Sequence, residues 1–167
     1  QNTHSCLAYS LLAMIPRDAS VSAESWLVPH LSERMDIYQF PSGAERADYI
    51  LLDVTTGSYY PFSNPTDYVG AFQQLLQSGD FELLAAQDGY LLLKRLPLGL
   101  RASLGHPLTL PPSFFTFATA APPNTNFTTL ARYLNEAQMF GYDASAAATQ
   151  QSQAPPPILQ TPRTCAD

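Results

Sequence analysis

The sequence predicts an α/β fold: a small Rossmann-like mixed sheet with helices packed on it and a C-terminal β-hairpin, followed by an irregular Pro-rich tail. Three observations carry this prediction. Ahead of Pro97, apolar runs of strand length alternate with segments of helical periodicity. One run, Tyr49-Ile50-Leu51-Leu52-Asp53-Val54, is almost continuously apolar between turn residues, as a strand buried on both faces has to be. Finally, Asp88-Gly89 separates two further strand-like runs, and a type I′ turn needs positive φ at both central residues.

The elements follow in chain order. From about Ser5 to Ile15, Leu7, Leu11, Leu12, Met14 and Ile15 are spaced as on an amphipathic helix. Pro16 ends it, because the residue before a proline is pushed out of the α region. Ala19 to Ala23 is a short run of small and β-branched residues and predicts a strand. A helix is expected from about Trp26 to Arg34, with Ser25 as N-cap and Pro29 in the first turn, where no intrahelical bond is lost. Ile37 to Phe40 predicts a second strand, stopped by Pro41 and Gly43, and Tyr49 to Val54 a third. The link between these two is short for a parallel crossover, which usually needs about a dozen residues, so the direction of the 37–40 strand stays open. The clearest helix start is at Asn64, which can cap; Pro65 suits the first helical position and Asp67 the positive end of the dipole. Val69, Phe72, Leu75 and Leu76 form its apolar stripe, and Gly79 stands where a left-handed terminating residue is expected. Phe81 to Gln87 and Tyr90 to Arg95 are the hairpin strands.

Composition changes at Pro97, which divides the chain into an α/β domain (1–97) and a Pro-rich extension (98–167), partly extended or disordered. Phe114 to Phe117 reads as a strand, Leu130 to Phe140 as a short helix or strand, and Ala144 to Ala154 as a flexible linker.

With 167 residues the chain is long enough to bury a core without metal or disulfide help. Its formal net charge is −6 and its basic residues form no cluster, which argues against nucleic acid and against electrostatic attraction to an anionic membrane surface. Cys6 and Cys165 are too few for a disulfide framework; they either pair where the termini meet or are unrelated thiols. No stretch approaches the ~18 apolar residues of a spanning helix, and no signal peptide is visible. Because Gln1 is not an initiator Met, a fragment or processed form is expected.

Few residue groupings suggest chemistry. His30 and Arg34 stand at i and i+4 on the expected helix, where they would clamp an anion or form an ordinary exposed pair. Ser22, Glu24 and Ser25 follow the first strand and Asp53 ends the third. Ligands of open α/β sheets bind beyond the carboxyl ends of the strands at a topological switch point, so these residues mark the best candidate site if the two strands are parallel neighbours. The plainer reading is that a serine caps a helix and Asp53 forms a turn. No catalytic residue is assigned: His4, His30 and His106 lie in no recognisable motif, no G-x-S-x-G elbow occurs, and metal-ligand spacings and a Gly-rich phosphate loop are missing. No cofactor or metal is expected. Asp48 and Asp53 flank the third strand, but two carboxylates alone say little. Asn126-Phe127-Thr128 matches a glycosylation triplet of the kind that arises by chance. Trp26 and the tail aromatics suit a core better than a partner surface.

One stretch carries a resemblance. Ile15 to Ala23 (IPRDASVSA), Leu27 to Arg34 (LVPHLSER), Ile37 to Pro41 (IYQFP) and Ala47 to Asp53 (ADYILLD) resemble, in order and spacing, a family of bacterial polytopic membrane proteins of unknown function. That family is distantly similar to the multi-spanning GT-C type glycosyltransferases that use lipid-linked sugars. The resemblance covers roughly His4 to Arg95, including the hairpin end Leu91-Leu92-Leu93-Lys94-Arg95; Arg132 to Ser145 faintly resembles the start of an appended β-sandwich. It implies a non-catalytic domain on the extracytoplasmic face of the bacterial cell membrane. The implied partners are the membrane-spanning part of the same polypeptide and a glycan or lipid-linked sugar. Catalytic residues of such enzymes lie between membrane spans, so none is carried over. Two other expectations stand beside this one: a small hydrolase or transferase using Asp53 and Ser22, and an interaction module using the Pro-rich tail.

Overall fold

Every side chain of the central strand is buried, and the rest of the fold is arranged around it. The computed structural model describes residues 3–56 and 59–116. These form α1 (Thr3–Met14), β1 (Val21–Ala23), β2 (Ile37–Gln39), β3 (Tyr49–Asp53), α2 (Pro65–Gln77), β4 (Phe81–Gln87), β5 (Tyr90–Arg95) and α3 (Leu98–Leu104). Single 3-10 turns lie at Val28–Leu31, Val54–Thr56 and Pro112–Phe115.

The five strands make one mixed sheet in the order β2-β1-β3-β5-β4. β1 runs parallel to both β2 and β3, which settles the direction of the second strand, and β5 is antiparallel to β3 and β4. The short link from β2 to β3 crosses β1 without a helix. A three-residue strand rises only ~10 Å, and successive tight turns, Ser42 N–H to Gln39 O, Ala44 N–H to Pro41 O and Arg46 N–H to Gly43 O, return the chain over that distance. Gly43, at φ 72°, lies against the Tyr38 ring where a Cβ would collide.

Alternation along β3 divides the core. Ile50 and Leu52, with Leu91 and Leu93 of β5, meet Tyr68, Val69, Phe72 and Leu76 of α2. Leu51 and Leu92, with Val21 and Ala23, meet Leu7, Ala8 and Leu11 of α1 on the other face. The expected helix start at Asn64 is present: its side chain accepts from the Asp67 N–H at 2.9 Å, and Gly79 follows the helix at φ 72°. Asp88 and Gly89 turn at φ 47° and 81°, as the type I′ prediction requires.

Two expected elements differ. The helix over 26–34 is only the 3-10 turn Val28–Leu31, led by Leu27 and not by Ser25. Here Leu27, His30 and Arg34 N–H groups each bond the carbonyl three residues back, and Pro29 has no N–H to give to a longer helix. The strand expected from Phe114 is instead the 3-10 turn Pro112–Phe115, started by two prolines; Phe117 lies outside the described residues. The compositional change at Pro97 is not where packing ends. Leu110, Phe114 and Phe115 are buried in the α2-side core, and Gly89 N–H donates to Phe114 O at 2.7 Å. The expected 130–140 and 144–154 segments, the Asn126 triplet, the likeness over 132–145 and the pairing of Cys6 with Cys165 all lie outside the described residues.

Candidate functional site

β1 and β3 are parallel neighbours, and the chain leaves β1 for β2 on one side while β3 lies on the other. That is a topological switch point, and its carboxyl edge is where ligands of open α/β sheets bind. Glu24 follows β1 there and Asp53 ends β3. Because β5 is antiparallel, its first residue Tyr90 pairs with Asp53, and the hairpin turn at Asp88 arrives at the same edge. α1 also begins here, with His4.

His4 is the hub. Its Nδ1 is 2.7 Å from Asp88 Oδ2; its Nε2 is 3.3 Å from Asp53 Oδ2 and 2.9 Å from the Thr55 hydroxyl. Thr55 donates its N–H and its hydroxyl to Asp53 Oδ1, at 2.8 and 2.6 Å. With that hydroxyl proton directed at Asp53, an imidazolium donating from both nitrogens satisfies every contact. Burial alone would lower the His4 pKa, but the hydrogen bonds to Asp53 and Asp88 outweigh it and the value is raised. The ring stacks on Tyr90 with centroids 4.4 Å apart.

Glu24 is 2% exposed. Its N–H donates to Leu51 O, and its Oε2 accepts from the Tyr68 hydroxyl at 2.9 Å. Burial pushes the Glu24 carboxyl up to about 8, with the charge of Asp53 adding to the effect and the Tyr68 bond opposing it. At neutral pH the carboxyl is therefore mostly a neutral acid. Burial likewise raises the phenols of Tyr68 and Tyr90, which remain donors. Tyr90 is fully buried, and the charge of Asp53 and a hydrogen bond with its side chain add to the rise of the phenol. The buried Nε1–H of half-buried Trp26, whose ring lies 6.4 Å from that of Tyr90, meets no acceptor among the described residues.

Of the residues expected to form a site, Glu24 and Asp53 come together. Ser22 is buried and its hydroxyl donates to Ser42 O at 2.8 Å, holding the β2–β3 crossover. Ser25 stands half-exposed beside Trp26. His30 is exposed and edge-on to Tyr9 and Trp26. Arg34 points elsewhere: its guanidinium donates to the carbonyls of Ile15, Pro16 and Ala19, at the amino end of β1. Burial, then the charge of Arg17, lowers its pKa. His30 and Arg34 thus share no α-helical face, because the turn between them ends at Leu31.

His4, Thr55, Tyr68, Asp88 and Tyr90 escaped sequence reasoning as a group. Tyr90 alone had a signal: a residue directly after a two-residue turn sits at the edge where its partner strand ends. Nothing in the sequence links His4 to Asp53, 49 positions away.

Thr55, His4 and Asp88 stand in the spatial order of nucleophile, base and orienting acid. The proton positions run the other way, however. The Thr55 hydroxyl is directed at Asp53 and not at the imidazole, and the hydrogen bonds to Asp53 and Asp88 favour the protonated ring, which works against a base at His4. The edge brings together the unpaired Trp26 Nε1–H, the mostly protonated Glu24 carboxyl and the rings of His4, Trp26 and Tyr90. Among the described residues, no three His, Cys, Asp or Glu side chains are arranged to hold a metal ion.

The model of a family described as "Predicted membrane protein" (DUF2079) matches residues 1–92, more than half of the chain. No curated protein and no solved structure matches the chain. Among the described residues, no helix is long and apolar enough to cross a membrane.

Proposed function

The chain belongs to the DUF2079 family of predicted membrane proteins, and from that premise we propose that it is a non-catalytic, extracytoplasmic domain of a bacterial membrane protein. In this reading it holds an acceptor or a lipid-linked sugar for a glycosyltransferase-like membrane part of the same polypeptide. The observation that carries the reading is the carboxyl edge of β1 and β3, where the buried Trp26 Nε1–H lacks an acceptor among the described residues, beside Tyr90, Glu24 and Asp53. An unpaired buried donor is costly to a fold, and a site that orients a bound polar molecule accounts for its retention. A small hydrolase built on Asp53 and Ser22 has less support, since the Ser22 hydroxyl is bound to a main-chain carbonyl and Asp53 is engaged by Thr55 and His4.

Two measurements test the proposal. In an NMR titration of the chain with glycans and lipid-linked sugars, saturable shifts are expected at His4, Tyr90 and Trp26; silence at millimolar ligand overturns the positioning role. For the side of the membrane, Met35 is fully exposed. A Met35→Cys variant of the family protein in intact cells should react with a membrane-impermeant thiol reagent, against a control with only the native cysteines. Labelling that requires lysis overturns the extracytoplasmic placement.

A further inference from the structure

We propose that α3 docks this domain on a lipid bilayer, its leucines entering the boundary between headgroups and acyl chains. Such docking does not depend on the ligand-positioning reading above, and the two fail separately.

α3 reverses the usual pattern of a helix in water. Surface helices bury an apolar stripe and expose charge, as α2 does with Val69, Phe72 and Leu76 buried. α3 buries none of its residues, and Leu98, Leu100 and Leu104 are 80%, 46% and 52% exposed. Seven large apolar side chains are exposed among the described residues, and these three fall within seven positions. Leu100 and Leu104, at i and i+4, are neighbours on one face. The one charged side chain of the helix turns back to the domain instead: Arg101 Nε donates to Leu96 O at 3.1 Å, and its Nη1 lies 3.3 Å from Asp80 Oδ1. Gly105, directly after the helix, sits so close to Gly79 that a Cβ would strike the Gly79 and Arg101 carbonyl oxygens. These ties fix the roll of the helix with its leucines outward.

Charge and family together identify the covering surface. Lys94 and Arg95 ahead of α3, and Arg101 within it, are each paired with Glu82 or Asp80. From Pro97 to Pro107, Arg101 is the only Lys, Arg, Asp or Glu. The patch therefore has no spare charge for an anionic surface or a charged protein partner. It matches the neutral headgroups and apolar interior of a zwitterionic bilayer. Membership of a family of predicted membrane proteins favours that bilayer over a soluble partner. β1 and β3 stand between β2 and β5, so the fully exposed Met35 ahead of β2 lies outside the patch. The six residues of β5 separate α3 from the carboxyl edge by about 20 Å, so of the two ligands considered above an acceptor has the easier approach.

The chain is mixed with phosphatidylcholine vesicles at millimolar lipid and floated on a density gradient. Co-flotation is expected, with little change when phosphatidylserine is added or salt is raised. A double variant, Leu100→Gln with Leu104→Gln, is altered only at exposed positions. It should keep its melting temperature and partition about tenfold more weakly. Leu98→Gln, at the most exposed of the three leucines, should weaken partitioning about threefold and decides the matter if the double variant melts lower. Absence of flotation, flotation that needs phosphatidylserine, or flotation that survives these substitutions overturns the bilayer assignment. So does sedimentation showing that the leucines hold two copies of the chain together in a dimer that the double variant abolishes.

Discussion

Glu24 and His4 are linked through Asp53, and each takes up protons on folding. The folded-state pKa of Glu24 is about 8 against an ordinary 4.5, with burial the main cause. A raised folded pKa means that the folded chain binds the extra proton. The associated stability is complete below the unfolded pKa and is lost as pH rises through the folded one, at up to about 1.4 kcal/mol per pH unit in between. His4 is also raised, from 6.5, where its hydrogen bonds to the two aspartates overcome burial. Its contribution is complete below that value and disappears as pH rises through the folded pKa, so the two residues act in the same direction. The chain is expected to be more stable to urea at about pH 5 than at about pH 9. Glu24→Gln keeps an acceptor for Tyr68 and removes the ionisation, so it should flatten the profile. Urea melts of both proteins at the two pH values decide it, and identical slopes would show that Glu24 does not carry the dependence.

At the scale of elements, local signals succeeded where they concern backbone groups that only nearby residues can satisfy. Asn64 caps α2 because the first N–H groups of a helix have no intrahelical acceptor, and its carbonyl oxygen reaches the Asp67 N–H. Asn64→Ala should therefore cost about 1 kcal/mol of stability, read as a lower denaturation midpoint with an unchanged m-value. The Asp88-Gly89 turn was legible for the same reason. The segment over 26–34 was not, because its apolar residues fit a helical stripe and a tight turn equally well. In the structure the turn's N–H groups bond three residues back, Pro29 has none to give to a longer helix, and the Arg34 guanidinium reaches back to the carbonyls of Ile15, Pro16 and Ala19. That tie closes a long-range contact invisible to periodicity.

On the scale of the whole molecule, the sheet has a core on each face, and the α2-side core draws on residues beyond the compositional change at Pro97. Phe114 is fully buried against Phe72 and Phe115. Phe114→Ala is expected to destabilise the chain by about 3–5 kcal/mol, and a chain ended at Pro97 should melt at a lower temperature because Leu110, Phe114 and Phe115 leave the core together. Calorimetry on the two proteins checks this; an unaltered melting temperature for the shortened chain would mean that residues 98–116 contribute nothing to the fold.

The sequence by itself determined the α/β class, the interior character of Tyr49–Asp53, the α2 start at Asn64 and the hairpin, since each follows from residue period or from backbone chemistry within a few positions. It also brought Glu24 and Asp53 to one edge, conditional on parallel neighbouring strands. Tertiary structure alone decided that condition, the direction of β2, the diversion of Arg34 to the opposite edge and the arrival of His4, Tyr68 and Tyr90 at the carboxylates. Those outcomes depend on contacts between residues tens of positions apart, which arise from how helices lie across a sheet and leave no trace in local spacing.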